Sequence, residues 1–317
     1  QRQVHARAAD RAERLDRTGQ LAFERPGEVD VLDERRRREG VALVEDLVAD
    51  PGRARQALAG QIHAQAGQVG ARGEDGLPGV ALGLVLDAAR VEVLERIGPD
   101  GEVLTALDEG SLEAAVRRLA ELGVESVAIC FLHSYRRPEH EARARAVVEA
   151  ILPDAYITLS SEILPEFREF ERMSTVAVNA FVGPKMGAYL EKFRARVRDV
   201  GIPVEPYTIH SNGGLMSADT VYNNPVRTCV SGPAAGVVGA AEIGRTAGLP
   251  NLITFDVGGT STDVSLIADA TPLFTSARLV AGYPVKTPML DIHVIGAGGG
   301  SIAAIDDAGS MKVGPRS

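Results

Sequence analysis

The stretch TFDVGGTSTDVSLI, residues 254–267, constrains the fold of this chain more than any other. An apolar run breaks at Gly258 and Gly259, passes through small hydroxylated residues, and resumes as alternating apolar positions. Leu252–Asp256 and Thr262–Ile267 therefore read as two strands framing a glycine turn. A phosphate group needs several N–H donors within about 3 Å, and adjacent glycines after a strand let the backbone fold into a concave nest of such donors. In this reading Asp256, at the strand's end, holds Mg2+ directly or through water. Gly258, Gly259 and the Thr260 backbone wrap the β- and γ-phosphates, with the Thr260 hydroxyl as a further donor. Asp263, returning on the next strand, orients a water or the metal shell. The alternative is an ordinary hairpin, because Gly-Gly is also a good turn dipeptide. The pattern is neither a Walker A loop nor a Rossmann fingerprint: there is no G-x-x-x-x-G-K-[ST], and the glycines open a hairpin rather than a helix.

Composition narrows the partners. The chain has 317 residues, enough for one large or two ordinary domains with a sizeable core. A net charge of −9 argues against nucleic-acid binding and against docking on anionic membrane, since both need clustered positive charge. No apolar run approaches the roughly 20 residues of a membrane span, and QRQVHARAADRAERLDR at the start lacks the apolar core of a signal peptide. Cys130 and Cys229 match no metal or redox spacing and fit a reducing, cytoplasmic compartment. The chain begins without Met, so its start is expected to be incomplete.

Residues 1–89 contain no Lys, Ser, Asn, Tyr, Met or Cys and a single Phe. Helical periodicity is present in VALVEDLV (41–48) and RARQALAGQIHAQAG (53–67). Two readings stay open for 1–89: a helical or disordered extension, or an out-of-frame translation of GC-rich DNA standing in place of the true start. From about residue 91 the pattern is that of a folded α/β protein. A hairpin is expected around Pro99-Asp100-Gly101, then a helix over 111–123 with Ser111 as N-cap and Gly123 as its stop. A buried strand at 124–132, a helix at 138–152 and a strand at 155–161 follow, implying a parallel or mixed sheet with helices packed on it. Residues 165–200 read as two helices, with Pro184 starting the second. PVRTCVSGPAAGVVGAAEIGRTAG (225–248) leads into a helix with Ser231 as N-cap, whose small residues allow close approach of another backbone.

A second glycine cluster lies in DIHVIGAGGGSIAAID (291–306). Asp291 and His293 alternate on one face of a strand that points at Gly296, Gly298, Gly299 and Gly300. Either this is a backbone pocket for phosphate or substrate with Asp291 and His293 as polar or metal-binding groups, or it is a tight connection beside a satisfied histidine. In SNGGLM (211–216), Ser211 and Asn212 read as hydrogen-bonding turn formers, and His133 and His140, flanking the helix at 138–152, read as surface residues.

Taken together, CFLHSYRRPEHE (130–141), SSEILPEFREFERMSTVAVNAFV (160–182), SNGGLMSADT (211–220), PVRTCVSGPAAGVVGA (225–240), TFDVGGTSTDVSL (254–266) and YPVKTPMLDIHVIGAGGGSIAAID (283–306) resemble the hydantoinase A/5-oxoprolinase family, over about residues 91–317. That family takes in ATP-dependent N-methylhydantoinases and 5-oxoprolinases together with related subunits of acetone and acetophenone carboxylases. The resemblance implies an α/β, actin-like ATPase (ribonuclease-H-like) duplicated fold with nucleotide between its lobes, incomplete here at both ends. Residues 90–170 correspond to the C-terminal part of the family's N-terminal domain and 171–317 to the N-terminal part of its hydantoinase A domain, where DVGGTSTD is similar to the second-lobe phosphate hairpin. The family's first glycine hairpin, D-x-G-G-T-x-T-D, has no counterpart near the start, and the chain stops at VGPRS, before the segments expected to hold adenosine.

The activity so implied is ATP-dependent hydrolysis of a cyclic amide of the hydantoin or 5-oxoproline type through phosphoryl activation of the carbonyl oxygen. The implied roles are Asp256 and Asp263 as catalytic carboxylates, and Gly258, Gly259, Thr260, Ser261, Thr262, Gly298, Gly299 and Gly300 as nucleotide contacts. Asp256, Asp291 and His293 stand as ligands for Mg2+ or a further divalent metal, and a larger B-type subunit is the implied partner. The rivals are a ketone carboxylase subunit, a non-catalytic remnant that binds a partner and no nucleotide, and a sugar or acetate kinase-like phosphotransferase.

Overall fold

The computed structural model describes residues 41–47 as backbone, and residues 85, 89–280 and 282–317 in full. Four strands form a wholly parallel sheet: β1 (Val41–Leu47), β2 (Arg90–Leu94), β3 (Ser126–Cys130) and β4 (Tyr156–Leu159), in the order β2-β1-β3-β4. All five residues of β3 are buried, as a parallel strand covered on both faces requires. The strand at β1 replaces the helical periodicity read at 41–48. Val44 pairs with Val91 on one side and Ile129 on the other, so flanking strands override a weak local preference. The repeat at 53–67 lies outside the described residues.

Helix α1 (Glu109–Glu121) buries Leu112, Ala115, Val116 and Leu119 against this sheet. Its N-cap is Asp108, whose side chain accepts from the Gly110 N–H at 3.0 Å; Ser111, expected there, lies inside the first turn. The Ser111 hydroxyl donates to the Asp108 carbonyl (3.0 Å) and accepts from the Leu94 N–H (3.2 Å), pinning the helix start to the end of β2. The expected hairpin is present, with Arg96–Ile97 paired to Val103–Thr105 and the Gly101 N–H closing on the Gly98 carbonyl at 3.0 Å. Helix α2 (Glu139–Ile151) follows β3. His140 is not a surface residue: its side chain is 14% exposed and its Nδ1 lies 2.6 Å from buried Glu95.

Between residues 165 and 200 there is one continuous helix, α3 (Glu169–Asp199), and not two. Pro184 lacks the N–H that would bond to the Ala180 carbonyl one turn earlier. That carbonyl accepts instead from the Ser126 hydroxyl of β3, at 2.7 Å and fully buried, so the helix passes its proline without an orphaned acceptor. Gly183 at the same turn lies against the Tyr156 ring with no room for a Cβ. Helix α4 (Ser231–Ala247) precedes a second, antiparallel sheet of β5 (Leu252–Val257), β6 (Thr262–Ala268) and β7 (Ile292–Ile295), in which β6 pairs with β5 along one edge and with β7 along the other. One face of this sheet packs on α4 through Ile267 and Ile292, together with Leu290 just before β7, against Ala234, Val237 and Ala241.

Candidate functional site

The β5–β6 pairing sets Asp256 directly opposite Asp263. Opposed residues of an antiparallel pair share a face, so both carboxylates project from the side that α4 covers. Both line a cleft of about 350 Å³ whose far wall is Pro233, Gly236 and Ala240 of α4. Like charges placed this way repel unless a cation relieves them. Hard carboxylate oxygens facing each other are a donor set suited to a divalent cation such as Mg2+.

The turn above them is tightly wound. The Gly258 N–H donates to the Ser261 carbonyl at 2.9 Å. The N–H groups of Gly259 and Thr260 and the hydroxyls of Thr260 and Ser261 have no partner among the described residues, and open space lies over Gly259. These are the donors of the predicted cradle that point away from the protein's own bonds. The Thr262 hydroxyl is engaged elsewhere, donating to the Ala297 carbonyl at 2.7 Å.

The second glycine cluster lies on this turn. The Gly299 N–H donates to the Gly258 carbonyl (2.9 Å) and the Gly300 N–H to the Gly259 carbonyl (2.8 Å), while the Gly298 N–H donates to the Ser301 hydroxyl (2.9 Å). Sequence reasoning placed Gly298, Gly299 and Gly300 on the nucleotide; in the structure their N–H groups are engaged within the protein. The metal candidates do not converge. His293 pairs with Val264, which faces the side of the sheet away from Asp256 and Asp263, and strand alternation puts Asp291 on His293's side. Among the described residues no group of three or more His, Cys, Asp or Glu comes together as a ligand set.

Ser231 is not the N-cap of α4. Val230 holds that position in left-handed backbone (φ 56°, ψ 24°) without a side-chain cap, an unfavourable conformation for a β-branched residue. Of the small residues on α4, Gly244 has its Cβ position filled by Leu252 and by the Leu249 carbonyl, whereas Gly232, Gly236 and Gly239 face open space. In the neighbouring hairpin (Tyr207–Ile209 with Leu215–Ser217) the Asn212 side chain accepts from the Gly214 N–H at 2.9 Å. The Ser211 hydroxyl donates to the Arg227 carbonyl at 2.5 Å. His210 Nδ1 accepts the Asn212 N–H at 2.9 Å, and burial together with the Arg227 charge holds its pKa below the ordinary histidine value, so the ring is neutral.

A buried polar cluster at the carboxyl ends of β3 and β4 was not singled out from sequence. Fully buried Glu141 accepts from the Phe131 N–H (2.9 Å), the Ser160 hydroxyl (2.5 Å) and the Ser161 N–H (2.8 Å). Fully buried Arg172 donates to the Ser134 hydroxyl (3.0 Å) and the Phe131 carbonyl (2.7 Å), and Ser134 and Ser160 join the two halves at 3.0 Å. The available signal was Glu141 itself, a charged residue on the same buried face of α2 as Ala144 and Val148.

A family model described as Hydantoinase/oxoprolinase matches residues 172–317, and its N-terminal-region counterpart matches residues 73–152. Caprolactamase subunit alpha of Pseudomonas jessenii is 39% identical over 222 residues, covering 70% of this chain and 32% of the relative. The 5-oxoprolinase of Saccharomyces cerevisiae is 33% identical over 69% of this chain and 17% of its own length. The crystal structure of ATP-dependent caprolactamase from Pseudomonas jessenii superposes with a TM-score of 0.72 at 33% identity, over 91% of this chain and 40% of that one. Nucleotide-free acetone carboxylase, solved for the mechanism of ATP-dependent acetone carboxylation, gives 0.71 at 26% identity, over 90% and 41%. The chain thus spans between about a sixth and two-fifths of these proteins.

Proposed function

Because the chain belongs to the hydantoinase/oxoprolinase family and has the actin-like ATPase fold of its structural neighbours, we propose that it carries one phosphate-binding wall of an ATP-dependent hydrolase of cyclic amides. The observation that carries the reading is the pairing of Asp256 with Asp263 beneath a two-glycine turn whose Gly259 and Thr260 N–H groups are open. Those N–H groups and the Thr260 and Ser261 hydroxyls hold phosphate oxygens by fixed dipoles that need no reorganisation as charge develops. Asp256 holds Mg2+, and Asp263 orients a water or the metal's shell. Bound Mg-ATP would supply its γ-phosphoryl group to the amide oxygen, releasing ADP and activating the amide carbon toward water. The cleft wall at Gly236 and Ala240, free of long side chains, leaves room beside the carboxylates.

A larger B-type subunit is the proposed partner, in keeping with a relative that is itself an alpha subunit. A second reading, an ATP-dependent ketone carboxylase subunit, is favoured by the acetone carboxylase match over 90% of the chain. The compartment proposed is the cytoplasm; among the described residues no helix is long and apolar enough to cross a membrane. Titration calorimetry with Mg-ATP tests the site. Wild type is expected to bind, and Asp256→Ala to bind at least about ten-fold more weakly, about 1.4 kcal/mol. Equal binding by wild type and Asp256→Ala would remove Asp256 from its role, and no binding by wild type would favour the non-catalytic remnant.

A further inference from the structure

We propose that Gly298 is a positioning residue, which sets the shape of the β5–β6 turn by letting a second backbone lie directly on it. The proposal rests on the phosphate-binding reading above and assigns the second glycine loop a different task from ligand contact. Three observations converge on it. A Cβ on Gly298 would sit 2.5 Å from the Gly258 carbonyl oxygen, 2.8 Å from the Ser261 nitrogen and 2.9 Å from the Gly259 carbonyl carbon. All three atoms are backbone, so no side chain can swing aside. Gly298 also lies outside the left-handed region, so conformational freedom does not explain the glycine and close approach does.

The contact is also bonded on both flanks. The N–H groups of Gly299 and Gly300 take the Gly258 and Gly259 carbonyls, and the Thr262 hydroxyl takes the Ala297 carbonyl at 2.7 Å. With both carbonyls held from one side, the peptide planes of the turn are fixed, and the N–H groups of Gly259 and Thr260 are held aimed the other way. The loop is itself backed by backbone: a Cβ on Gly314 would collide with the Gly296 carbonyl. Three glycine-bearing segments therefore stack with no side chain between them. A turn left to itself would lose entropy on closing around phosphate; one buttressed in this way is organised in advance.

The test uses the 317-residue chain. Gly298→Ala is compared with wild type by amide hydrogen exchange at the turn contact, read at Gly258, Gly299 and Gly300, whose N–H groups are bonded there, and across β3, and by Mg-ATP titration. The expected result is exchange at the turn faster by about ten-fold and Mg-ATP affinity lower by a similar factor, with β3 unchanged. Unaltered turn exchange would overturn the proposal even if affinity fell. If wild type binds no Mg-ATP while Gly298→Ala still loosens the turn, the phosphate reading fails and the buttress stands. Should Gly298→Ala not fold, Thr262→Val and Thr262→Ser serve instead. The valine is expected to loosen the turn and the serine, which keeps the hydroxyl, to restore its protection; equal exchange in the two would count against the buttress.

Discussion

The two sheets of this molecule are built on opposite principles. The parallel sheet hides every residue of β3, and buried polar groups around it are bonded within the Glu141–Arg172 cluster and by the Ser126–Ala180 bond. The antiparallel sheet covers one face with α4 and leaves the other open, with Ile253 70% and Phe255 66% exposed. Its outer strand β5 has no second partner strand among the described residues. Yet the sparsely packed sheet carries the paired carboxylates and the open turn. The two differ in what orders them: the first sheet is packed in a core, whereas the turn of the second is held by backbone docking.

The contrast can be broken most sharply at Glu141. Glu141→Ala strands two N–H groups and a hydroxyl in the protein interior, and urea unfolding is expected to show a loss of about 3–5 kcal/mol. Phe255→Ala, on the exposed face, should stay within about 0.5 kcal/mol of wild type. Comparable losses at the two sites would show that the two sheets do not differ in packing in this way.

A smaller effect is expected where the long helix crosses β3. Ser126→Ala leaves the Ala180 carbonyl without its donor and should destabilise by about 1–3 kcal/mol. Pro184→Ala returns an N–H to that carbonyl, so in its background the Ser126→Ala penalty should shrink. A double-mutant cycle by denaturant unfolding that shows strict additivity would refute this account of how the helix passes its proline.

The smallest effect concerns His210. Its folded pKa is held below the ordinary value of 6.5, so the neutral ring's contribution is complete above that value and is lost as pH falls through the lowered folded pKa. Protonation would remove the acceptor of the Asn212 N–H. Thermal melting should therefore shift down between about pH 7.5 and 5.5 by more in wild type than in His210→Asn. Parallel pH profiles of the two proteins would show that His210 does not report on this hairpin.

Legibility followed sequence distance. The hairpin at 252–268, the Pro99–Gly101 turn, the buried strand and the apolar face of α1 are set by neighbours a few residues apart, where periodicity and turn chemistry act. The misreadings were of two kinds. Ser111 and Ser231 fit capping statistics, but Asp108 and a strained Val230 hold those positions because the flanking chain has to meet β2 and the short turn at Pro225–Thr228. Residues 41–47 and Pro184 obeyed partners far away: two flanking strands in one case, and in the other a Ser126 hydroxyl that bonds the Ala180 carbonyl 54 residues along the chain.

The sequence alone determined that a strand, two glycines and a returning strand would set Asp256 and Asp263 near one another, because alternation and a short turn leave those side chains little choice of face. Only the tertiary structure showed which acceptors within the chain the N–H groups of the GAGGG segment meet. Whether an N–H group meets a ligand or a neighbouring carbonyl depends on which backbone comes within 3 Å of it, and that is fixed by how β7 returns beside β6, not by the glycines themselves.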